Sequence, residues 1–121
     1  MKIDFTQKLY KLNGECLLEL TFNKEGKQEL GDVLTLGIVT VAALHNRYAD
    51  EKNLSLKEMY ERGEMASRVF NSDSDGIDLS TEEITLIKKL IGKRFEVLVV
   101  WQTEALLENK PSKIEPKPKA E

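Results

Sequence analysis

The sequence predicts an α+β fold in which an N-terminal β-hairpin packs on about four α-helices. Asn13-Gly14 lies between two runs of alternating apolar and polar residues, which is the strongest short-range signal for a hairpin. Ser55 and Ser80 each precede a glutamate by three residues, and this spacing is typical of a capping box at the start of a helix. A hairpin followed by a series of helices, without regular alternation of the two, indicates the α+β class.

A two-residue turn at Asn13-Gly14 also predicts which hairpin residues face each other. It places Leu9 opposite Leu18 and Phe5 opposite Phe22. The apolar residues then share one face, which we expect to be buried: Ile3, Phe5, Leu9, Leu18, Leu20 and Phe22. A shift by one residue would set this face against polar residues, so the turn and the pattern support the same register.

Helices are predicted over residues 34–49, 55–70, 80–92 and 95–108, and residues 23–32 form a polar connector before the first of them. The β-branched residues of the first segment also suit a strand, but its apolar run is long for one. Thr35 is the expected N-cap of this helix. The last helix begins with residues 97–101, which are apolar all round, so we expect them to form the central core helix and to cover the hairpin.

The helix over residues 55–70 carries an apolar stripe at helical spacing. We expect the stripe to face the core, and its members are Leu56, Met59, Tyr60, Gly63, Ala66 and Phe70. Glu58 and Arg62 stand one turn apart, which predicts an ion pair on the exposed side.

Composition divides the 121 residues into one globular domain over residues 1–109 and a tail over residues 110–121. The tail holds all three prolines and few apolar residues, which predicts disorder. The net charge is -3 although the tail is net positive, so the domain is acidic, and we do not expect direct binding to nucleic acid. No apolar run could cross a bilayer and no signal peptide is visible, so we expect a cytoplasmic protein that is a monomer or a small homo-oligomer.

Residues 71–82 match the spacing of an EF-hand calcium loop. Such a loop places oxygen ligands at positions one, three, five and twelve and glycine at position six, which here are Asn71, Asp73, Asp75, Glu82 and Gly76. Asn71 replaces the usual aspartate, Asp78 stands where an apolar residue is usual, and there is no second loop to pair with. We favour an ordinary acidic turn between two helices. Calcium is the alternative, and no other cofactor is expected.

The remaining candidate residues favour structural roles. His45 and Cys16 are the only residues of their kinds, which excludes a structural zinc site built from four such ligands. His45 has no accompanying nucleophile motif, and Cys16 has no neighbouring cation that would activate a thiol. Trp101 lies among apolar residues and is expected in the core. These observations predict a protein that is not an enzyme.

Five acidic residues form a dense cluster around the same turn: Asp73, Asp75, Asp78, Glu82 and Glu83. One interpretation is that they mimic the phosphate charge of nucleic acid and inhibit a nucleic-acid-binding host protein. A solvated turn is the simpler interpretation, because runs of charge usually lie in water.

Four segments carry a resemblance to a known group of proteins: residues 1–7 with the Asn-Gly turn, 34–37, 78–93 and 97–108. In this order they resemble a group of small uncharacterised proteins of tailed bacteriophages and prophages. The resemblance brings no catalytic motif and implies a non-enzymatic accessory role in the cytoplasm of a bacterial host. We therefore expect the protein to act by protein–protein interaction with a phage or host protein.

Overall fold

The computed structural model describes residues 1–22, 24–46, 48, 50–51 and 53–115, and it confirms the α+β class. Within these ranges the strands are β1 Lys2–Ile3, β2 Leu18–Phe22, β3 Gln28–Val33 and β4 Ile77–Asp78. The helices are α1 Leu36–His45, α2 Leu56–Phe70, α3 Thr81–Arg94 and α4 Val97–Leu107. β1 pairs with β4 and β2 pairs with β3, both antiparallel, while the helices pack on one another.

The turn at Asn13-Gly14 is present, but its register differs from the prediction by one residue. The Lys11 N–H donates to the Glu15 carbonyl (2.7 Å), and the Gly14 N–H donates to the Lys11 carbonyl (2.9 Å). Gly14 has a φ of 87°, whereas Asn13 has no positive φ. A two-residue Asn-Gly turn needs positive φ at both positions, but a three-residue loop needs it at the glycine alone. The loop therefore has the three-residue form, and Tyr10 pairs with Cys16.

Beyond this turn the two arms of the predicted hairpin separate. In the β2–β3 pair, Leu20 lies opposite Leu30 and Phe22 lies opposite Gln28. β1 pairs instead with β4, where Ile3 lies opposite Ile77. The predicted pairing of Phe5 with Phe22 is therefore wrong, and residues 28–32, which were expected in a polar connector, belong to strand β3.

The segment over residues 5–10 contacts both of the chain segments that follow it. The Leu9 N–H donates to the Leu34 carbonyl (2.9 Å), and the Leu9 carbonyl accepts from the Leu17 N–H (3.0 Å). Ile3, Phe5 and Leu9 are buried, as predicted. The predicted burial of the Leu20 and Phe22 side chains lies outside what the structure describes.

Side-chain caps confirm three of the predicted helix starts. Thr35 Oγ1 accepts from the Ile38 N–H (3.2 Å), so residues after Thr35 are helical and not a strand, although α1 already ends at His45. Ser55 Oγ accepts from the Glu58 N–H (3.1 Å). Ser80 forms the full capping box: its Oγ accepts from the Glu83 N–H (3.1 Å) while its own N–H donates to Glu83 Oε1 (2.9 Å).

The helices in the middle of the fold are α1, which packs against α2 and α3, and α3, which packs against α1 and α4. We expected residues 97–101 in that place, and this prediction is wrong. α4 packs against α3, and its Val97 is 83% exposed. α1 and α4 are both apolar nearly all round, so periodicity does not show which of the two lies in the middle of the fold.

Residues 110–115 are the described part of the predicted tail. Ile114 is buried, and Ser112 Oγ donates to the Ile114 carbonyl (3.0 Å). Residues 116–121 lie outside the described residues, so disorder of the tail stays a prediction. Within the described ranges, no helix has both the length and the apolar character needed to cross a membrane.

Candidate functional site

The first half of the 71–82 loop uses its polar groups to hold its own shape. The Asn71 side-chain amide donates to the Ser67 carbonyl (2.9 Å). Asp73 Oδ1 accepts from the Asp75 N–H (3.0 Å), and the Asp73 carbonyl accepts from the Gly76 N–H (3.0 Å). Gly76 has a φ of 81°, which favours glycine. These bonds are those of a tight turn after α2.

The second half of the loop is tied to the N-terminus. A Cβ on Gly76 would lie 2.6 Å from the Ile3 carbonyl oxygen, so a glycine is needed where the loop passes β1. The Met1 ammonium donates to Asp78 Oδ1 (2.8 Å), and this bond holds the pKa of Asp78 below its ordinary value. The loop thus supports the pairing of β4 with β1.

The structure does not bring the predicted calcium ligands together. Asn71, Asp73 and Asp75 follow α2, while Glu82 is exposed in the first turn of α3. Among the residues that the structure describes, no group of three or more His, Cys, Asp or Glu side chains could hold a metal ion. Calcium binding therefore stays a prediction.

The acidic cluster around this loop is partly neutralised by the fold. Asp78 contacts the Met1 ammonium, and Glu83 Oε2 accepts from Arg68 Nη1 (2.9 Å). The hydrogen bond from the Ser80 N–H, followed by the nearby Arg68 charge, lowers the pKa of Glu83. The other three members, Asp73, Asp75 and Glu82, are exposed.

The three single candidates fall in different places. Cys16 is half-buried next to the turn, and its thiol is free. Trp101 is 44% exposed, so the prediction of a core residue is wrong. His45 is exposed at the end of α1, where it lines one cavity with Ser67.

The apolar stripe of α2 faces mostly outward, contrary to the prediction. Leu56, Tyr60 and Phe70 are 82%, 69% and 77% exposed. The helix instead buries Arg62, Met65, Ala66 and Val69, so only Ala66 of the predicted stripe is fully buried. α2 is therefore rotated by about a quarter turn relative to the predicted orientation.

The buried arginine explains this rotation. Arg62 forms a two-pronged ion pair with Glu51, in which Nη1 donates to Oε1 (3.0 Å) and Nη2 donates to Oε2. Both side chains are largely buried, and Arg62 does not form the predicted pair with Glu58. Because the charge of Arg62 is paired with that of Glu51, the side of α2 that carries Arg62 can face the interior. The apolar stripe of α2 then faces outward.

Three adjoining cavities lie between α1 and α2, and we call them together the α1–α2 furrow. Their volumes are about 580, 350 and 250 Å³. The two larger cavities share Val41 and Phe70, and the two smaller ones share His45 and Gly63. The wall on α1 is formed mainly by Ile38, Val41, Ala42 and His45, and the wall on α2 by Met59, Gly63, Ser67 and Phe70.

One exposed carboxylate lines the α1–α2 furrow. Asp32 lines the largest of the three cavities, whereas Glu61 and Glu64 line a separate depression with Tyr60 and Arg68. The two arginines of α2 are neutralised within the fold, Arg62 by Glu51 and Arg68 by Glu83.

Comparisons add no relative to this picture: a scan against protein-family models and searches of curated proteins and of solved structures return no match to the chain. The resemblance to proteins of tailed phages therefore stays a prediction.

Proposed function

We propose that this chain is a non-enzymatic accessory protein of a phage or prophage, and that it acts in the bacterial cytoplasm by binding another protein through the α1–α2 furrow. The observation that carries the proposal is the position of Phe70. Its side chain is 77% exposed, and it stands where the two larger cavities of the furrow meet. An exposed aromatic residue beside an apolar depression is typical of a protein-binding site.

The neighbouring residues extend this surface along α2. Leu56 and Tyr60 are exposed on the same face of the helix as Phe70, about three to four turns toward its N-terminus. A single exposed apolar residue needs no explanation, but three large ones on one face of a helix do. Binding of a partner would remove this row from water.

Affinity capture from bacterial lysate tests the proposal. The bait is the full chain with a C-terminal tag, because an N-terminal tag would remove the contact of the Met1 ammonium with Asp78. Phe70→Gln should lower the amount of captured partner about tenfold, as expected for the loss of a central aromatic contact. Val97→Gln is the matched control, since Val97 is also exposed but lies on α4.

Equal capture by the wild type and by Phe70→Gln would contradict the proposal. Capture by both the wild type and Val97→Gln, with loss in Phe70→Gln, would support it. Thermal melting of all three chains shows whether each variant is folded, and small effects are expected because both substituted side chains are exposed.

Calcium binding at residues 71–82 is the alternative proposal, and it differs in its dependence on the ion. Under the main proposal, millimolar calcium leaves the melting temperature unchanged. Under the alternative, millimolar calcium raises the melting temperature, because the ion binds the folded chain and not the unfolded one.

A further inference from the structure

We propose that the proline-rich residues 116–118 bind to Trp101 of the same chain and thereby close an exposed depression on α4. The proposal concerns α4 alone and is independent of the α1–α2 furrow. It rests on three features, which are the exposure of Trp101, the path of residues 110–115 and the sequence that follows them.

The depression lies along one face of α4 and has a volume of about 280 Å³. Its wall on the helix side is formed by Trp101, Glu104, Ala105 and Glu108, whose spacing of three and four residues places them on one face. Trp101 is 44% exposed, which leaves much of a large apolar ring in water. A tryptophan exposed beside a depression is a typical binding contact.

The chain turns back over this face directly after α4. The Lys110 N–H donates to the Ala105 carbonyl (3.0 Å), which reverses the direction of the chain at the end of the helix. Lys110 Nζ contacts Glu108 Oε2 (2.8 Å), and Lys113 lines the depression together with Trp101. The segment over residues 110–115 therefore lies against α4 and places the residues that follow it close to the same face.

The next residues are long enough to reach the tryptophan. Ile114 is buried, so the described segment is held on the fold almost to its last residue. The six residues 116–121 extend over about 18 Å as a polyproline II chain, whereas the 11 residues of α4 extend over about 16 Å. A segment tethered in this way has an effective concentration of the order of millimolar at the depression, which favours it over a separate ligand of equal affinity.

The sequence of this segment suits an aromatic surface. Residues 116–118 are Pro-Lys-Pro, and Ala120 is the one other apolar residue that follows. Proline favours the extended polyproline II conformation before any contact forms, so little further entropy is lost on binding. Proline-rich segments pack their rings on aromatic side chains in this conformation.

The charges of the depression do not select an occupant. Glu104 and Glu108 line it together with Lys110 and Lys113, so the two signs balance. Apolar contact with Trp101 is therefore the selective feature, and high salt should leave the contact intact. In this arrangement the segment keeps the depression closed to other proteins.

Acrylamide quenching of fluorescence tests the proposal, because Trp101 is the only tryptophan. Two altered chains lack the contact: one ends after Glu115, and the other carries Pro116→Ser and Pro118→Ser. Both should raise the quenching constant about twofold and shift the emission to longer wavelength, since a chain across one face of the ring hides about half of it. Ala120→Ser is the matched control in the same segment and should behave as the wild type. Melting temperatures close to that of the wild type show that each chain is folded.

Four outcomes would overturn the proposal. Equal quenching of the full chain and of the chain that ends after Glu115 would place the segment away from Trp101. Stronger quenching in the shortened chain but not in the double proline variant would exclude the prolines as the contact. Quenching of the wild type that rises on dilution would assign the segment to a second copy, and protection that is lost at high salt would assign the contact to charge.

Discussion

At the scale of single residues, Gln102 shows how a buried polar side chain joins the helices to the N-terminal segment. Gln102 is 1% exposed on α4. Its Oε1 accepts from the Tyr10 N–H (2.9 Å), and its Nε2 donates to the Tyr10 carbonyl (2.8 Å). The side chain therefore pairs with the Tyr10 backbone as a neighbouring strand would. The sequence does not reveal this role, since glutamine is usually exposed.

We predict that Gln102→Met destabilises the protein by about 1–3 kcal/mol. Methionine has nearly the same length, but it leaves the partly buried N–H and carbonyl of Tyr10 without these partners. Urea unfolding followed by Trp101 fluorescence measures the difference. A change in unfolding free energy of only a few tenths of a kcal/mol would show that the two hydrogen bonds do not matter.

The Arg62–Glu51 ion pair is a second contact on which the fold depends. The hydrogen bond from Arg62 lowers the pKa of Glu51, although burial opposes the shift. A carboxyl with a lowered pKa in the folded state stabilises the fold above its ordinary pKa of 4.5. That contribution is lost as the pH falls from there through the lowered value.

Glu51→Gln tests this pH dependence. At pH 7 we expect the variant to be less stable than the wild type by about 2 kcal/mol, because a charge-assisted hydrogen bond becomes a neutral one. As the pH falls below 4.5, the difference should shrink, since the wild-type carboxyl becomes neutral too. Urea unfolding at a series of pH values measures it, and a difference independent of pH would contradict the assigned role of the ion pair.

At the scale of elements, α2 shows which part of the candidate site the sequence can predict. The sequence identifies the apolar stripe of α2, and the structure confirms the predicted start of this helix at Ser55. The predicted orientation of the stripe was wrong, because periodicity locates an apolar face but does not show whether that face meets the core or a partner. The direction depends on Glu51, which lies on another segment and lets Arg62 enter the interior.

The same helix yields a prediction about stability. Gly63→Leu should raise the free energy of unfolding by up to about 1 kcal/mol, since leucine favours the helix more than glycine does. No atom within 4 Å obstructs the new Cβ. Gly92→Leu on α3 is the matched control, because its Cβ also meets nothing within 4 Å. Thermal melting measures both variants, and destabilisation by Gly63→Leu alone would mean that the face of α2 is not free.

At the scale of the whole molecule, local signals were the reliable ones. Caps at Thr35 and Ser80 and the turn at Gly14 depend on residues close in sequence, and the structure contains all three. The pairing of β1 with β4 joins segments far apart in the chain, and each strand has two residues. Such short strands carry no alternation that a sequence pattern could detect.

The central claim is that the α1–α2 furrow binds the partner. The most direct measurement compares partner capture by Gly63→Leu and Gly92→Leu in parallel with their melting temperatures. We predict that Gly63→Leu melts no lower than the wild type and yet loses the partner, because its side chain fills the furrow, while Gly92→Leu keeps it. Equal capture by both variants would contradict the claim.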